Sequence, residues 1–195
     1  VMRFFFKTHY NQDINLFRDG VDRFWYGLLI AALLVAPFLL EDFWLGEISY
    51  VFILAIVGIG LMLLTGYTGQ VSLGHAAFLG IGAYTHSVLL NMGVPFWISI
   101  PAATLLSALI GALIGRPALK LTGVYLAIAT LAFAFIIEQI LIRWEHVTGG
   151  FKGFAVPRPE MLGHSLVDDV PFYYITFGAL VLAVLVALNL LRSPT

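Results

Sequence analysis

The side chains able to do chemistry in this chain gather in one place. Thr68, Gln70, Ser72 and His75 stand among Gly66, Gly69, Gly74, Gly80 and Gly82. These are hydrogen-bonding groups rather than a reaction centre. His75 has no second His four residues on, so the spacing of a helix-borne metal pair is missing, and His86 lies too far along the next helix to pair with it. Metal binding is not expected, and with no Cys in 195 residues neither is a disulfide framework or a thiolate site. Five glycines at this density weaken a helix, because glycine loses the most backbone entropy on ordering. A stretch of this kind breaks the chain's regular structure and leaves polar groups to be received by something.

The surrounding composition says what that something must be. The chain is 61% hydrophobic and 11% charged, against about 25% charged in soluble domains. The glycine-rich stretch lies inside roughly seventy residues without Lys, Arg, Asp or Glu, enough for two to three membrane passes. An integral membrane protein of all-α class follows. A broken backbone at membrane depth persists only against other protein, polar side chains or a water-filled cavity. The stretch therefore faces a polar route or its edge. The net charge of −1 and the lack of a basic cluster argue against nucleic acid. A cleaved leader is not expected, since the first apolar run starts only at Phe24 and no small-residue cleavage site follows Leu40.

Six spans are expected: 24–40, 48–65, 76–92, 98–115, 124–142 and 172–191, with the glycine-rich break between the second and third. Residues 1–23 form an N-terminal cytoplasmic or interfacial segment, and 24–192 the transmembrane domain. Ile14, Phe17, Val21 and Phe24 recur at helical spacing, which suits a helix lying on the membrane surface; Gly20 suits a loose tail instead. The 41–47 stretch reads as an acidic loop with Trp44 at the interface. Arg3, Lys7, Arg18, Arg23, Arg116, Lys120 and Arg192 are placed consistently on the inner side by six passes with both ends cytoplasmic.

Two readings of the break stand side by side. Its following helix begins near Leu73 to Ala76 and offers free N–H groups and a dipole to an anionic group such as a carboxylate. Alternatively, Gly74, Gly80 and Gly82 let helices approach closely. Both can hold. Glu138, beside Gln139 in the fifth span, is the other intramembrane polar site. An acid there is costly and points to function. It also lies only about 7 Å of helical rise from Arg143, so an ion pair or interfacial water is the favoured account. No nucleophile–base pair or paired carboxylates occur in the spans, which disfavours a membrane enzyme.

Gly66-Tyr67-Thr68-Gly69-Gln70-Val71-Ser72-Leu73-Gly74-His75-Ala76-Ala77-Phe78-Leu79-Gly80-Ile81-Gly82-Ala83-Tyr84 resembles the signature of the branched-chain amino-acid ABC permeases, M-type subunit. A second block, Gly123-Val124-Tyr125-Leu126-Ala127-Ile128-Ala129-Thr130-Leu131-Ala132-Phe133 followed by Trp144, Thr148-Gly149-Gly150 and Gly153, resembles another part of the same family. The two blocks cover about 58–153. On its own, Thr148-Gly149-Gly150 also fits an external loop folded by glycine turns.

The resemblance implies one permease subunit of an inner-membrane ABC importer. Such a subunit works with a homologous permease, two cytoplasmic ATPases and a periplasmic substrate-binding protein. Its cargo would be leucine, isoleucine and valine, with urea, short amides or other amino acids as alternatives. An ion-coupled secondary transporter is a further one. No resident cofactor is implied, and the chain has no Gly-x-x-x-x-Gly-Lys-Ser/Thr loop for ATP. The expected substrate route takes in Gly66, Gly69, Gln70, Ser72, Gly74, His75 and Tyr84. Gly123, Tyr125, Thr130, Thr148, Gly149 and Gly150 are expected to serve the structure. Relatives of this kind continue past Arg192-Ser193-Pro194 into a coupling loop and further spans, so the resemblance implies a subunit cut short.

Overall fold

The computed structural model describes residues 20–118, 120–153, 155–156, 160–161, 164–165 and 169–192. Among these the helices are α1 (Gly20–Leu39), α2 (Asp42–Met62), α3 (His75–Asn91), α4 (Phe96–Ala118), α5 (Val124–Arg143), the single turn α6 (Glu145–Thr148) and α7 (Asp169–Arg192). A two-residue antiparallel pair, β1 (Glu160–Met161) and β2 (His164–Ser165), sets Glu160 opposite Ser165. Residues 1–19, with most of the expected surface helix and its basic residues, lie outside the described residues. So do Pro157-Arg158-Pro159 and Ser193-Pro194-Thr195.

The all-α, multi-pass class holds. Four helical stretches are long and apolar enough to cross a membrane: Asp42–Tyr67, Phe96–Ala118, Val124–Arg143 and Val170–Leu191. The first expected span appears as a shorter apolar helix, Phe24–Leu39. The third is the 17-residue α3, about 25 Å long by helical rise.

Two expected loops are shorter than the sequence suggests. The acidic stretch 41–47 is the start of α2, because the Glu41 carbonyl accepts the N–H groups of Trp44 and Leu45 at 2.9 and 3.3 Å. Asp42 then sits in the first turn, where a helix end favours negative charge. The basic stretch 116–120 is partly absorbed into α4, with Arg116 in the last turn, where the dipole favours a cation.

The chain divides into two compact units, residues 1–45 and 46–195. In the first, α1 carries Phe24 and Trp25 edge to face at 6.0 Å. In the second, α3 packs against both α4 and α5. Ala77 and Ile81 of α3, Ala103 of α4, and Leu126 and Ala127 of α5 are buried there. α7 meets α2 through aromatic rings: Phe52 lies 5.3 Å from the fully buried Tyr173 and 5.6 Å from Phe177. The outer stripe of α4 is uncovered, with Leu105, Leu109 and Leu113 68%, 61% and 66% exposed. A stripe that apolar suits hydrocarbon and is a liability in water.

Candidate functional site

The glycine-rich stretch breaks the helical path as expected. α2 runs into a π-helical turn at Leu63–Tyr67, residues 68–74 are non-helical, and α3 begins at His75 with Gly74 at its N-cap. Carbonyls at the end of α2 and in the π-turn find local hydroxyl partners. Thr65 Oγ1 donates to the Leu61 carbonyl at 2.8 Å, and Thr68 Oγ1 donates to that of Leu64. The Gln70 N–H also donates to the Leu64 carbonyl, at 3.2 Å. In this way the break satisfies part of its backbone internally.

α5 satisfies a further group. The Leu73 N–H donates to Thr130 Oγ1 at 3.0 Å, and the Thr130 hydroxyl donates in turn to the Ala127 carbonyl at 2.9 Å. Beside this bond Gly74 lies directly on α5. A Cβ there would collide with the Thr130 carbonyl oxygen and come within 3.2 Å of the Thr130 Cβ. Only glycine permits this approach. The two motif blocks of the sequence thus meet at one point.

Next to that point is a cavity of about 420 Å³ between the break, α2, α3, α4 and α5. Gln70, Ser72 and His75 from the break side, with Ser107 and Thr130, supply its polar groups. Phe78, Ala108, Ile114, Leu126 and Phe133 supply apolar wall. Phe78 and Phe133 lie 5.3 Å apart, and the His75 ring sits edge-on to Phe78 at 6.4 Å. On its other side His75 packs near Gly60, where an added Cβ would stand 3.2 Å from Nε2. No side chain caps the N-terminus of α3, so its dipole opens beside the wall formed by Gly74 and His75.

Of the residues expected along a route, the cavity collects Gln70, Ser72, Gly74 and His75. Gly66 and Gly69 belong to the turn and do not line it. Tyr84 lies about 14 Å further along α3 by helical rise. It lines a second, apolar cavity of about 250 Å³ with Ile81, Val88, Leu106, Ile137 and Trp144. Gly111 and Gly115, on the α4 wall of the first cavity, escape the sequence reading. Their four-residue spacing with Ser107 is the signal that exposes them.

Gly123 precedes α5 as its N-cap, and Tyr125 is 75% exposed. Thr148 is buried, with its hydroxyl within reach of the Leu141 and Trp144 carbonyls and its oxygen accepting the Gly150 N–H at 3.3 Å. Gly149 is left-handed, with φ 73°, and an added Cβ would strike the Gly153 carbonyl. The close fit makes 148–150 a folded turn. Glu138 is exposed on α5 and forms no ion pair with Arg143. Among the described residues no cluster of three His, Asp or Glu could hold a metal.

A family model described as the branched-chain amino acid transport system permease component matches residues 45–195. The high-affinity branched-chain amino acid transport system permease protein LivM of Salmonella typhimurium strain LT2 is 38% identical over 140 residues, 69% of this chain and 33% of that protein. The protein of the same description from Escherichia coli strain K12 is 37% identical over the same shares. The chain spans about a third of the length of these curated relatives. No solved structure matches it.

Proposed function

Because this chain belongs to the family of branched-chain amino-acid transport permease components, we propose that it forms part of the membrane path of an importer for leucine, isoleucine and valine. The observation that carries this reading is the cavity at the break. Its polar groups, Gln70, Ser72, His75 and Thr130, share one space with Phe78, Leu126 and Phe133. A free amino acid with an aliphatic side chain has the same division, a charged end and an apolar end. The amides opening α3 add positive potential for the carboxylate. In this reading Gln70, Ser72, Gly74 and His75 line the route. Gly66 and Gly69 shape the turn, and Tyr84 stands at a separate apolar cavity.

The subunit works with a homologous permease, two ATPases that hydrolyse ATP, and a periplasmic binding protein. It sits in a bacterial inner membrane with both ends of this chain on the cytoplasmic side. Paired permeases alternate in access as the ATPases turn over, and the binding protein supplies most of the selectivity. A route must hold its cargo loosely enough to release it.

The test is uptake by the intact transporter in proteoliposomes. Leucine, isoleucine and valine should enter only with ATP on the ATPase side, and collapsing ion gradients should change nothing. Uptake that follows an ion gradient and ignores ATP would replace this reading with a secondary transporter. Uptake of urea or a short amide in preference to leucine would reassign the cargo.

A further inference from the structure

We infer that Thr130 is a positioning residue, the latch through which α5 sets the place of the glycine-rich break. Two independent contacts converge on this one residue. Its hydroxyl oxygen accepts the Leu73 N–H at 3.0 Å, and its carbonyl faces Gly74 so closely that no Cβ fits between. Leu73 and Gly74 are the last two residues before α3, so both contacts act where the non-helical segment becomes helix. The hydroxyl is itself oriented, because its proton goes to the Ala127 carbonyl at 2.9 Å. That bond fixes the rotamer and turns a lone pair toward Leu73.

Among the described residues, the other hydrogen bonds of the break are local: those of Thr65, Thr68 and Gln70 in its own turn, and the Gly74 carbonyl accepting the Ala77 N–H. Those bonds tie it to the end of α2 and the start of α3. The Thr130 contacts are the ones described between the non-helical segment and α5. A shift or rotation of α5 therefore moves the cavity wall at Ser72, Gly74 and His75 with it. Loss of the hydroxyl leaves the Leu73 N–H without its acceptor on α5 and frees the break to move away from that helix. Valine keeps the shape of threonine and removes this function; serine keeps the function.

The consequence for transport rests on the proposed function, but the latch itself is tested without substrate. A single cysteine replaces Ala77, which is 7% exposed in the first turn of α3 and off the cavity wall, in the intact transporter with other cysteines removed. Its reaction with N-ethylmaleimide reports how often the break opens. Thr130→Val should speed labelling about fivefold, the equivalent of one lost hydrogen bond, and Thr130→Ser should label at the parent rate. If Thr130→Val does not reach the membrane, Thr130→Ala takes its place with the same expectation. Parent-like labelling in Thr130→Val or Thr130→Ala, or fast labelling in Thr130→Ser, would overturn the inference. Faster labelling with unchanged leucine uptake would support the latch and count against the cavity as the route.

Discussion

Thr148 and Gly74 show how much of this chain's order rests on single atoms. Thr148 is 2% exposed and serves as acceptor for Gly150 while its hydroxyl reaches two carbonyls at the end of α5. Thr148→Val keeps the volume and strips these bonds. It should lower stability by about 1–3 kcal/mol, read as a drop in the thermal unfolding midpoint of the detergent-purified subunit. An unchanged midpoint would mean that water replaces the hydroxyl. Glycines of similar setting separate in the same assay. Gly74→Ala must push α3 off α5 and should cost about 1–3 kcal/mol. At Gly82 an added Cβ would meet only the rotatable Ser107 Oγ at 3.4 Å, so Gly82→Ala should change stability by less than about 1 kcal/mol. Equal losses in the two variants would contradict the packing described. Gln70, Ser72 and His75 were legible in the sequence because hydrogen-bonding groups stand out in a charge-free run. The job of Thr130 was not, because its partner Leu73 lies 57 residues away, and no local pattern encodes such a pairing.

At the scale of elements, the break was readable and the helix ends were not. Glycine density and polar residues at membrane depth announce an interruption through backbone entropy and unpaired amides. The start of α2 was misplaced because Asp42 reads as loop by charge, whereas in a first turn the same charge steadies the helix. The sequence of α4 reads as a plain span. It has two faces: Leu105, Leu109 and Leu113 outward, and Ser107, Gly111 and Gly115 on the cavity. Small residues are frequent in membrane helices, so the inner stripe carries little signal until a neighbouring cavity gives it a purpose. Glycine at 115 keeps that wall open, since nothing lies within 4 Å of where its Cβ would stand. A larger side chain there should enter the cavity without straining the fold. Tyr84, part of the quoted signature, lines a different cavity.

For the whole molecule, the proposed function has this chain operate inside an assembly. Purification of the full-length subunit through an affinity tag should bring down a second permease and an ATPase, with leucine-dependent ATP hydrolysis restored by the binding protein. A subunit that purifies alone and carries leucine without ATP would contradict that assembly. The most direct test of the central claim, that cargo passes by the cavity at the break, is ATP-driven leucine uptake through the intact transporter bearing Gly115→Ala, Gly115→Val and Gly115→Leu. With membrane levels equal, uptake should fall stepwise as the side chain grows, by about tenfold or more at leucine, which corresponds to about 1.4 kcal/mol or more on the barrier. Leucine entering at the parent rate through the Gly115→Leu transporter would show that the cargo travels elsewhere.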